Sequence, residues 1–191
     1  EIYDRLVGSE ICIRDRGYGP CSLAKYLIMV AGEDQPNLEI HDIPAYFRHF
    51  LERVDWRKDL HFQTQTTMDT LDYSGTGLNQ GSKVIMVAAG QKKRQLATML
   101  SESVQFPLEY ETPKFVMPGV LAISAPAFQS YESAAAEVSL FAKTLQGAQD
   151  FSGIPLIVLA DDSEFVAKDV KNFLWVCFTR SNPSHDIYGV G

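Results

Sequence analysis

Two stretches of the chain align residue by residue without a gap. Residues 41–62 read HDIPAYFRHFLERVDWRKDLHF, and residues 168–190 read KDVKNFLWVCFTRSNPSHDIYGV. Asp42 aligns with Asp169, and the apolar positions that follow recur three and four residues apart, as in a helix that packs on a sheet. Aspartate is a preferred N-cap residue, and Pro44 is tolerated in a first helical turn. The alignment therefore predicts an internal duplication, with one helix after each aspartate.

A short apolar run precedes each of these helices. Residues 26–31 read YLIMVA, and residues 155–160 read PLIVLA. Continuous apolar runs of this length are typical of strands that are buried on both faces. Another strand is predicted at Val120–Ser124, followed by an alanine-rich helix from Tyr131 to Leu145.

Helices between successive strands imply parallel pairing with right-handed crossovers. We therefore predict an α/β fold of two related β-α-β-α-β units with a mainly parallel sheet. Each duplicated helix would lead into one more strand, at Leu60–Thr66 and at Ile187–Val190.

The first of the two units is predicted to be incomplete. Ile11–Arg14 has the composition of an opening strand, but only RDRGYGPCSLA separates it from the next strand. That connection is too short for a crossover helix. Either this unit lacks its helix, or residues are absent between Arg14 and Ser22.

Domain boundaries follow from these elements. We predict a first unit at residues 1–90, a linker at residues 91–119 with a short helix at Lys93–Ser101, and a second unit at residues 120–191. The chain opens with Glu1 and not Met, so we expect it to be a segment of a longer protein.

Composition excludes several classes of function. The chain has 191 residues, a formal net charge of -7 and a pI near 5.0, which argues against a nucleic-acid or anionic-membrane partner. Its three cysteines form no CxxC pair, so neither a disulfide framework nor a zinc knuckle is predicted. No apolar run is long enough for a membrane span. We expect a cytoplasmic protein.

The glycine-rich stretch GTGLNQGSK at residues 75–83 resembles a phosphate-binding loop at first sight. A P-loop requires lysine directly after its last glycine, and a dinucleotide fingerprint requires a third glycine where this chain has Gln80. Both fingerprints fail. We favour a structural turn, with anion binding through Lys83 as the alternative.

Other candidate catalytic or metal-binding residues have simpler explanations. Asp161 and Asp162 follow a predicted strand and could hold magnesium in a phosphoryl-transfer enzyme, but a solvated loop before a helix explains them as well. The histidines show no metal-ligand spacing. Arg180 with Asp186, and Arg53 with Asp59, recur in both copies, so we interpret each pair as an architectural clamp between helix and strand.

The segment from Phe151 to Ile187 resembles the C-terminal domain of the UbiD-type carboxy-lyases. That family has a strand ending in acidic residues, a Trp-containing helix ending in Thr-Arg, and an Asp/Asn-Pro-x-Arg-Asp turn. The matching residues here are Thr179, Arg180, Asn182, Pro183 and Asp186. His185 stands where the family has arginine.

An earlier stretch is similar to the same family. The family has Thr-Pro-x-Asp-x-Leu-Asp, a serine-containing glycine turn, then Gly-Ser-Lys and an apolar strand. The matching residues here are Thr67, Asp69, Leu71, Asp72, Ser74, Gly81, Ser82 and Lys83. Met68 replaces the family's proline, and Ala88-Ala89-Gly90 stands where the family has Asp-Ala-Thr.

The resemblance implies a non-oxidative decarboxylase of aromatic or α,β-unsaturated acids that uses prenylated FMN, a divalent metal and potassium. In such enzymes the catalytic set and most cofactor ligands lie in other domains, so we assign no catalytic, cofactor-binding or metal-binding residue to this chain. The implied role is oligomerisation and closure of one side of the pocket. The expected partners are further copies and the remainder of the same polypeptide. The alternative is a stand-alone protein-interaction module built from the duplicated unit.

Overall fold

The computed structural model describes residues 20–101, 104–145 and 151–190. These residues divide into two compact units. The first contains the described residues up to Lys93 together with Phe178–Ile187, and the second contains Arg94–Cys177 and the residues from Tyr188 onward. The predicted boundaries differ from this division: residues 94–119 form part of the second unit and not a linker, and residues 178–187 return to the first.

The first unit is built on a three-stranded sheet. Its strands are β1 (Tyr26–Val30), β2 (Leu60–Thr67) and β3 (Gln80–Ala88), in the order β1-β3-β2. β1 runs parallel to β3, and β2 runs antiparallel to it. Helix α1 (Ile43–Leu51) begins after Asp42, whose Oδ1 accepts a hydrogen bond from Ala45 N at 3.1 Å. Its buried side chains include Phe47, Phe50 and Leu51.

The second unit has a separate three-stranded sheet. Its strands are β4 (Glu111–Met117), β5 (Val120–Ser124) and β6 (Leu156–Ala160), in the order β4-β5-β6. Helix α2 (Tyr131–Leu145) and the short α3 (Ser163–Lys168) follow β5 and β6. Side chains from β5 and α2 form one apolar core with neighbouring residues: Tyr110, Leu121, Ile123, Phe141, Leu145 and Ile154.

Helix α4 (Val170–Thr179) carries the chain back to the first unit, because the division falls between Cys177 and Phe178. A single helical turn, α5 (Pro183–Asp186), follows it. We call the returning segment, Phe178–Ile187, the strap.

The α/β class is confirmed, but the mainly parallel sheet is wrong. Each sheet has one parallel and one antiparallel pairing. Before the strap, the described strands and α-helices run β-α-β-β in the first unit, and they run β-β-α-β-α-α in the second, so they are not two β-α-β-α-β units. The antiparallel pairs arise because no helix separates β2 from β3 or β4 from β5. Between β4 and β5 the chain turns at Gly119, which has φ +80.

Two further predicted elements do not form. Residues 93–101 are irregular, because their backbone is used for distant contacts: Lys93 N donates to Glu52 O at 2.7 Å, and Ala97 N donates to Gly153 O at 2.8 Å. The predicted strand at Ile187–Val190 is also irregular. The predicted strand at Ile11–Arg14 lies outside the described residues.

Hydrogen bonds recur at aligned positions of the duplication. Asp55 N donates to Asp59 Oδ2 at 2.7 Å, and the aligned Asn182 N donates to Asp186 Oδ2 at 2.5 Å. Each aspartate thus closes a turn on an amide four residues before it. Arg53 instead donates to the carbonyl oxygens of His49 and Gly90, so the predicted clamp between Arg53 and Asp59 is wrong.

Candidate functional site

Three of the residues that match the family, Asp72, Ser74 and Thr179, meet around the ammonium group of Lys25, which immediately precedes β1. Its Nζ lies 2.9 Å from Asp72 Oδ2 and donates to Ser74 Oγ at 2.8 Å and to Thr179 O at 3.1 Å. The Lys25 side chain is 7% exposed and that of Asp72 is 19% exposed. An ammonium group has three donors, and these three acceptors come from two distant segments of the chain.

The segment from Asp69 to Leu78, which we call the display loop, is held by its own acidic residues. Asp69 Oδ1 accepts from Leu71 N at 2.9 Å. Asp72 Oδ1 accepts from Ser74 N at 3.0 Å and from Ser74 Oγ at 2.6 Å. Bonds from a side chain to an amide two residues on are the Asx turns that Asp favours. The loop therefore has a defined conformation, anchored to β1 by Lys25.

Asp72 is held in its charged form. Its partial burial acts to raise its pKa, but hydrogen bonds from Ser74 and Lys25, together with the Lys25 charge, outweigh burial and lower the pKa below 3.8. The carboxylate is therefore ionised at neutral pH and serves as the counter-ion of Lys25.

A second set of contacts fixes the strap to β3. Ser82 Oγ donates to Asn182 Oδ1 and accepts from Ser184 N at 2.8 Å. Ser82 and Asn182 are both buried, as is Pro183. Burial raises the pKa of Asp186, and the Asn182 amide and the charges of His185 and Lys25 offset only part of that effect.

Two aromatic contacts complete the attachment of the strap. The Phe178 ring packs edge-on against Tyr26 with centroids 4.7 Å apart, and it also contacts Phe47. The Tyr26 hydroxyl lies 2.5 Å from Ser181 Oγ. The strap thus binds β1, β3 and α1 through one apolar anchor and several polar contacts.

The Gly-Ser-Lys segment lies at the start of β3 and not in a turn. A Cβ on Gly81 would overlap the Met68 Sδ atom, so any other residue at this position would force the buried Met68 side chain to move. Ser82 binds the strap, and the buried Lys83 donates its Nζ to Ser22 O. Each of the three residues has a structural contact, which favours architecture over anion binding through Lys83.

Asp69 and Arg180 line an open cleft of about 580 Å³ beside Lys25, together with the apolar side chains of Leu23, Leu71, Tyr73 and Phe178. Leu71 is 80% exposed, Tyr73 is 87% exposed and Leu78 is 80% exposed. A well-anchored loop thus presents three large apolar side chains to solvent. Large apolar side chains exposed together on one loop are candidates for an interaction site.

The other candidates from the sequence have structural roles. Asp162 Oδ1 caps α3 by accepting from Phe165 N at 2.9 Å. His49 is buried, with Nδ1 3.1 Å from Gln35 Oε1; burial and the Arg53 charge lower its pKa. Burial raises the pKa of Cys177 to about 12, so the thiol is protonated and unreactive at neutral pH.

The described residues around the cleft do not fit a metal site. Among the described residues, no group of three or more His, Cys, Asp or Glu side chains is placed to hold a metal ion. In the cleft, the Lys25 ammonium is already used by Asp72, Ser74 and Thr179. No helix within the described part of the chain is long and apolar enough to cross a membrane.

Lys25, which holds the display loop and the strap at one point, was not indicated by the sequence. Its partners Ser74 and Thr179 lie 49 and 154 residues away, so no local pattern reveals them. Of the residues singled out from the family resemblance, the structure brings together Asp72, Ser82, Thr179, Asn182, Pro183 and Asp186 around the strap. Asp69 and Arg180 lie at the adjoining cleft, and Gly81 and Lys83 lie in β3.

Comparison with known proteins gives one family and several relatives. The family model of the 3-octaprenyl-4-hydroxybenzoate carboxy-lyase C-terminal domain matches residues 12–88. A Chlamydia pneumoniae protein, named as one of the subunits of a 4-hydroxybenzoate decarboxylase, is 33% identical over 178 residues, covering 93% of this chain and 28% of that protein. An uncharacterized protein of Chlamydia trachomatis is 30% identical over 176 residues, covering 92% of this chain and 28% of that protein.

The relatives are much longer than the region they share with this chain. An uncharacterized protein of Chlamydia muridarum is 30% identical over 178 residues, again with 28% of that protein covered. The chain therefore spans about 28% of the length of the curated relatives it matches. No solved structure matches it. The family resemblance is confirmed for residues 12–88, which include the motif from Thr67 to Lys83, whereas the motif in the strap lies outside the matched range.

We expect Lys25→Met to reduce the free energy of unfolding of the first unit by about 3 kcal/mol, because it leaves the partly buried Asp72 charge without its partner. Asp72→Asn should also destabilise the unit. The double variant should lose less than the sum of the two single variants, since neither charge is then left alone. Urea denaturation of the four proteins measures this coupling.

Lys58→Met is the matched control, because the Lys58 side chain is 69% exposed in its pair with Asp55. Removing an exposed pair should change stability little. Additive effects of Lys25→Met and Asp72→Asn would contradict the interaction described here.

The burial of Asp186 should make the free energy of unfolding depend on pH with a sign opposite to that expected for a salt-bridged carboxylate. Because its pKa is raised in the folded protein, the folded state binds a proton more tightly than the unfolded state between pH 3.8 and the raised value. Stability from this group is therefore lost as the pH rises through that window. Relative to Asp186→Asn, the native protein should gain stability when the pH falls from 7 to about 4.5.

Chemical denaturation of both proteins at each pH measures the difference. Asp59→Asn, at the aligned position of the first copy, serves as the comparison. A stability difference between native protein and Asp186→Asn that stays constant or shrinks toward acid pH would contradict the buried environment of Asp186.

Proposed function

Since the chain belongs to the UbiD-type carboxy-lyase family through its C-terminal-domain region, we propose that it is the oligomerisation and pocket-closing domain of a UbiD-like decarboxylase. The proposed reaction is the non-oxidative decarboxylation of an aromatic or unsaturated carboxylic acid. The Chlamydia pneumoniae relative carries the name of a 4-hydroxybenzoate decarboxylase, which supports this reaction class. The chemistry would take place in a part of the polypeptide outside this chain.

The observation that carries the proposal is the display loop. Leu71, Tyr73 and Leu78 are each at least 80% exposed, yet Asp69, Asp72 and Lys25 fix the loop backbone that holds them. A pre-ordered loop loses little conformational entropy when it binds. Burying one large apolar side chain contributes about 1.5–3 kcal/mol. These properties suit a permanent protein–protein contact and not a catalytic centre.

In this proposal the cofactors of the family are bound outside this chain. Prenylated FMN, a divalent metal and potassium would supply the decarboxylation chemistry, bound by residues outside this chain. Within it, the described residues contribute no metal-binding cluster, and the Lys25 ammonium is occupied by protein acceptors. The proposed contribution of this domain is to close one side of a pocket formed elsewhere in the polypeptide and to exclude water from it.

A stand-alone interaction module is the second candidate, and the repeated turns at Asp59 and Asp186 favour it. Both proposals use the display loop as a contact surface, but they differ in what the gene encodes. A long coding region upstream of Glu1 supports the decarboxylase domain. An open reading frame that starts near Glu1 supports the module.

We expect Leu71→Asp and Tyr73→Asp, in the full polypeptide encoded by the gene, to shift the oligomer toward smaller species. Losing one buried apolar contact and burying a charge should weaken the association between copies at least about tenfold. Light scattering on a dilution series measures the mass and the apparent dissociation constant.

Ile40→Asp is the matched control, because Ile40 is an apolar residue of the same unit, 64% exposed and outside the display loop. It should leave the mass unchanged. Oligomers of unchanged mass and affinity in both display-loop variants would refute the proposed role, as would stoichiometric binding of prenylated FMN to this chain alone.

A further inference from the structure

A cluster of hydrogen bonds joins three segments of the first unit where the parallel strands β1 and β3 end. Asp34 and Gln35 follow β1, and Gly90 follows β3. Gly90 N donates to Asp34 Oδ2 at 2.5 Å, and Gly90 O accepts from Arg53 Nε at 3.0 Å. Helix α1 takes part through His49, whose Nδ1 lies 3.1 Å from Gln35 Oε1. We call these five residues the latch.

His49 is the buried titratable side chain of the latch. The residue is 2% exposed, and its Nε2 has no hydrogen-bond partner among the described residues. A neutral imidazole has one ring nitrogen that needs no acceptor, whereas a protonated imidazole has a donor on both nitrogens. Protonation would therefore place a charge and an unsatisfied donor in a buried position, and both are costly.

The charged groups around His49 do not offset that cost. Burial and the cations Arg53 and Lys92 outweigh the carboxylates of Asp34 and Glu52, and the pKa of His49 is lowered from 6.5. Arg53 Nη1 donates to His49 O at 3.0 Å. Both carboxylates already have partners: Asp34 accepts a backbone amide, and Glu52 pairs with Lys92 at 2.8 Å and with Arg53 at 3.3 Å.

The duplicated helix indicates that packing alone does not require this histidine. With Asp42 aligned on Asp169, His49 aligns with Val176 of α4. An apolar residue that cannot titrate thus occupies the equivalent position of the second copy. The histidine gives the first copy a sensitivity to protons that valine cannot supply.

We infer that the latch is a pH-sensitive switch, in which protonation of His49 opens the contact between α1 and the loop after β1. Neutral His49 suits the buried position beside Gln35, whereas charged His49 requires water at Nε2. The closed state excludes the proton, so acid shifts the population toward the open state. The switch lies within the first unit and is independent of the proposed decarboxylase role.

The direction of the pH dependence follows from linkage. A histidine whose pKa is lowered in the closed state stabilises that state above about pH 6.5, and this contribution is lost as the pH falls from 6.5 through the lowered value. Asp186, with its raised pKa, acts in the opposite direction. For one histidine with an ordinary pKa in the open state, the opening constant can rise by at most about 25-fold between pH 7 and pH 5.

Amide hydrogen exchange in the full polypeptide encoded by the gene tests the switch, with each rate corrected for intrinsic exchange at pH 7 and pH 5. Three amides of the loops donate hydrogen bonds in the closed state, those of Asp34, Leu38 and Gly90. In the native protein their protection should fall at least about threefold at pH 5 relative to pH 7, because opening exposes them.

His49→Gln keeps a hydrogen-bonding side chain but cannot titrate, so protection of these amides should not depend on pH in this variant. His61→Gln is the matched control, because His61 is an exposed histidine of β2. It should lose protection toward acid pH as the native protein does. Equal protection at both pH values in the native protein would overturn the switch, as would an equal loss in His49→Gln.

If His49→Gln fails to fold, the titration of His49 in the native chain decides. Hydrogen exchange at the imidazole C2 position, followed by mass spectrometry of the peptide that contains His49, gives the midpoint. We expect a midpoint below about 6.5, the ordinary value for histidine. A midpoint at or above that value would overturn the switch, because the closed state would then bind the proton as well as the open state does.

Discussion

The ammonium group of Lys25 is the interaction on which the first unit depends. It brings the start of β1, the display loop and the end of α4 to one point through Asp72, Ser74 and Thr179. A nearly buried lysine is stable only when its charge is paired and its donors are used. The Lys25 ammonium is paired with the Asp72 carboxylate and uses its remaining donors on Ser74 and Thr179. These contacts also fix the positions of the display loop and the strap.

As a consequence, the segment that matches the family model does not contain every residue of the first unit. Residues 12–88 match the carboxy-lyase C-terminal domain, but the groove made by Tyr26, Lys25 and Ser82 is filled by the strap, which lies far beyond that range in the sequence. Ser82, which is buried, would lose both of its strap partners, Asn182 and Ser184 N, without it, and an unsatisfied buried polar group costs about 1–3 kcal/mol. The strap is therefore needed to complete the first unit.

Local signals in the sequence identified many of the elements. Apolar runs indicated β1, β5 and β6, and the aspartate caps indicated the starts of α1 and α4. The residues of Gly-Ser-Lys and Asn-Pro are interpreted as structural, and Ser82, Lys83 and Asn182 each make a hydrogen bond within the first unit. Strand direction and tertiary partners could not be predicted from local sequence signals. β3 and β5 sit at the centre of mixed sheets because loops, not helices, precede them, and Lys25 finds its partners across 49 and 154 residues. Residues 93–101 have helical composition but use their amides in distant hydrogen bonds.

Hydrogen exchange on a strap-weakened variant tests most directly whether the strap completes the first unit. In the full polypeptide carrying Phe178→Ser and Asn182→Ala, the amides of β1 and β3 should lose protection, because their unit lacks its apolar anchor and its partner for Ser82. The amides of β5, in the second unit with its own core, should keep theirs. Unchanged protection of β1 and β3 in the variant would contradict the account.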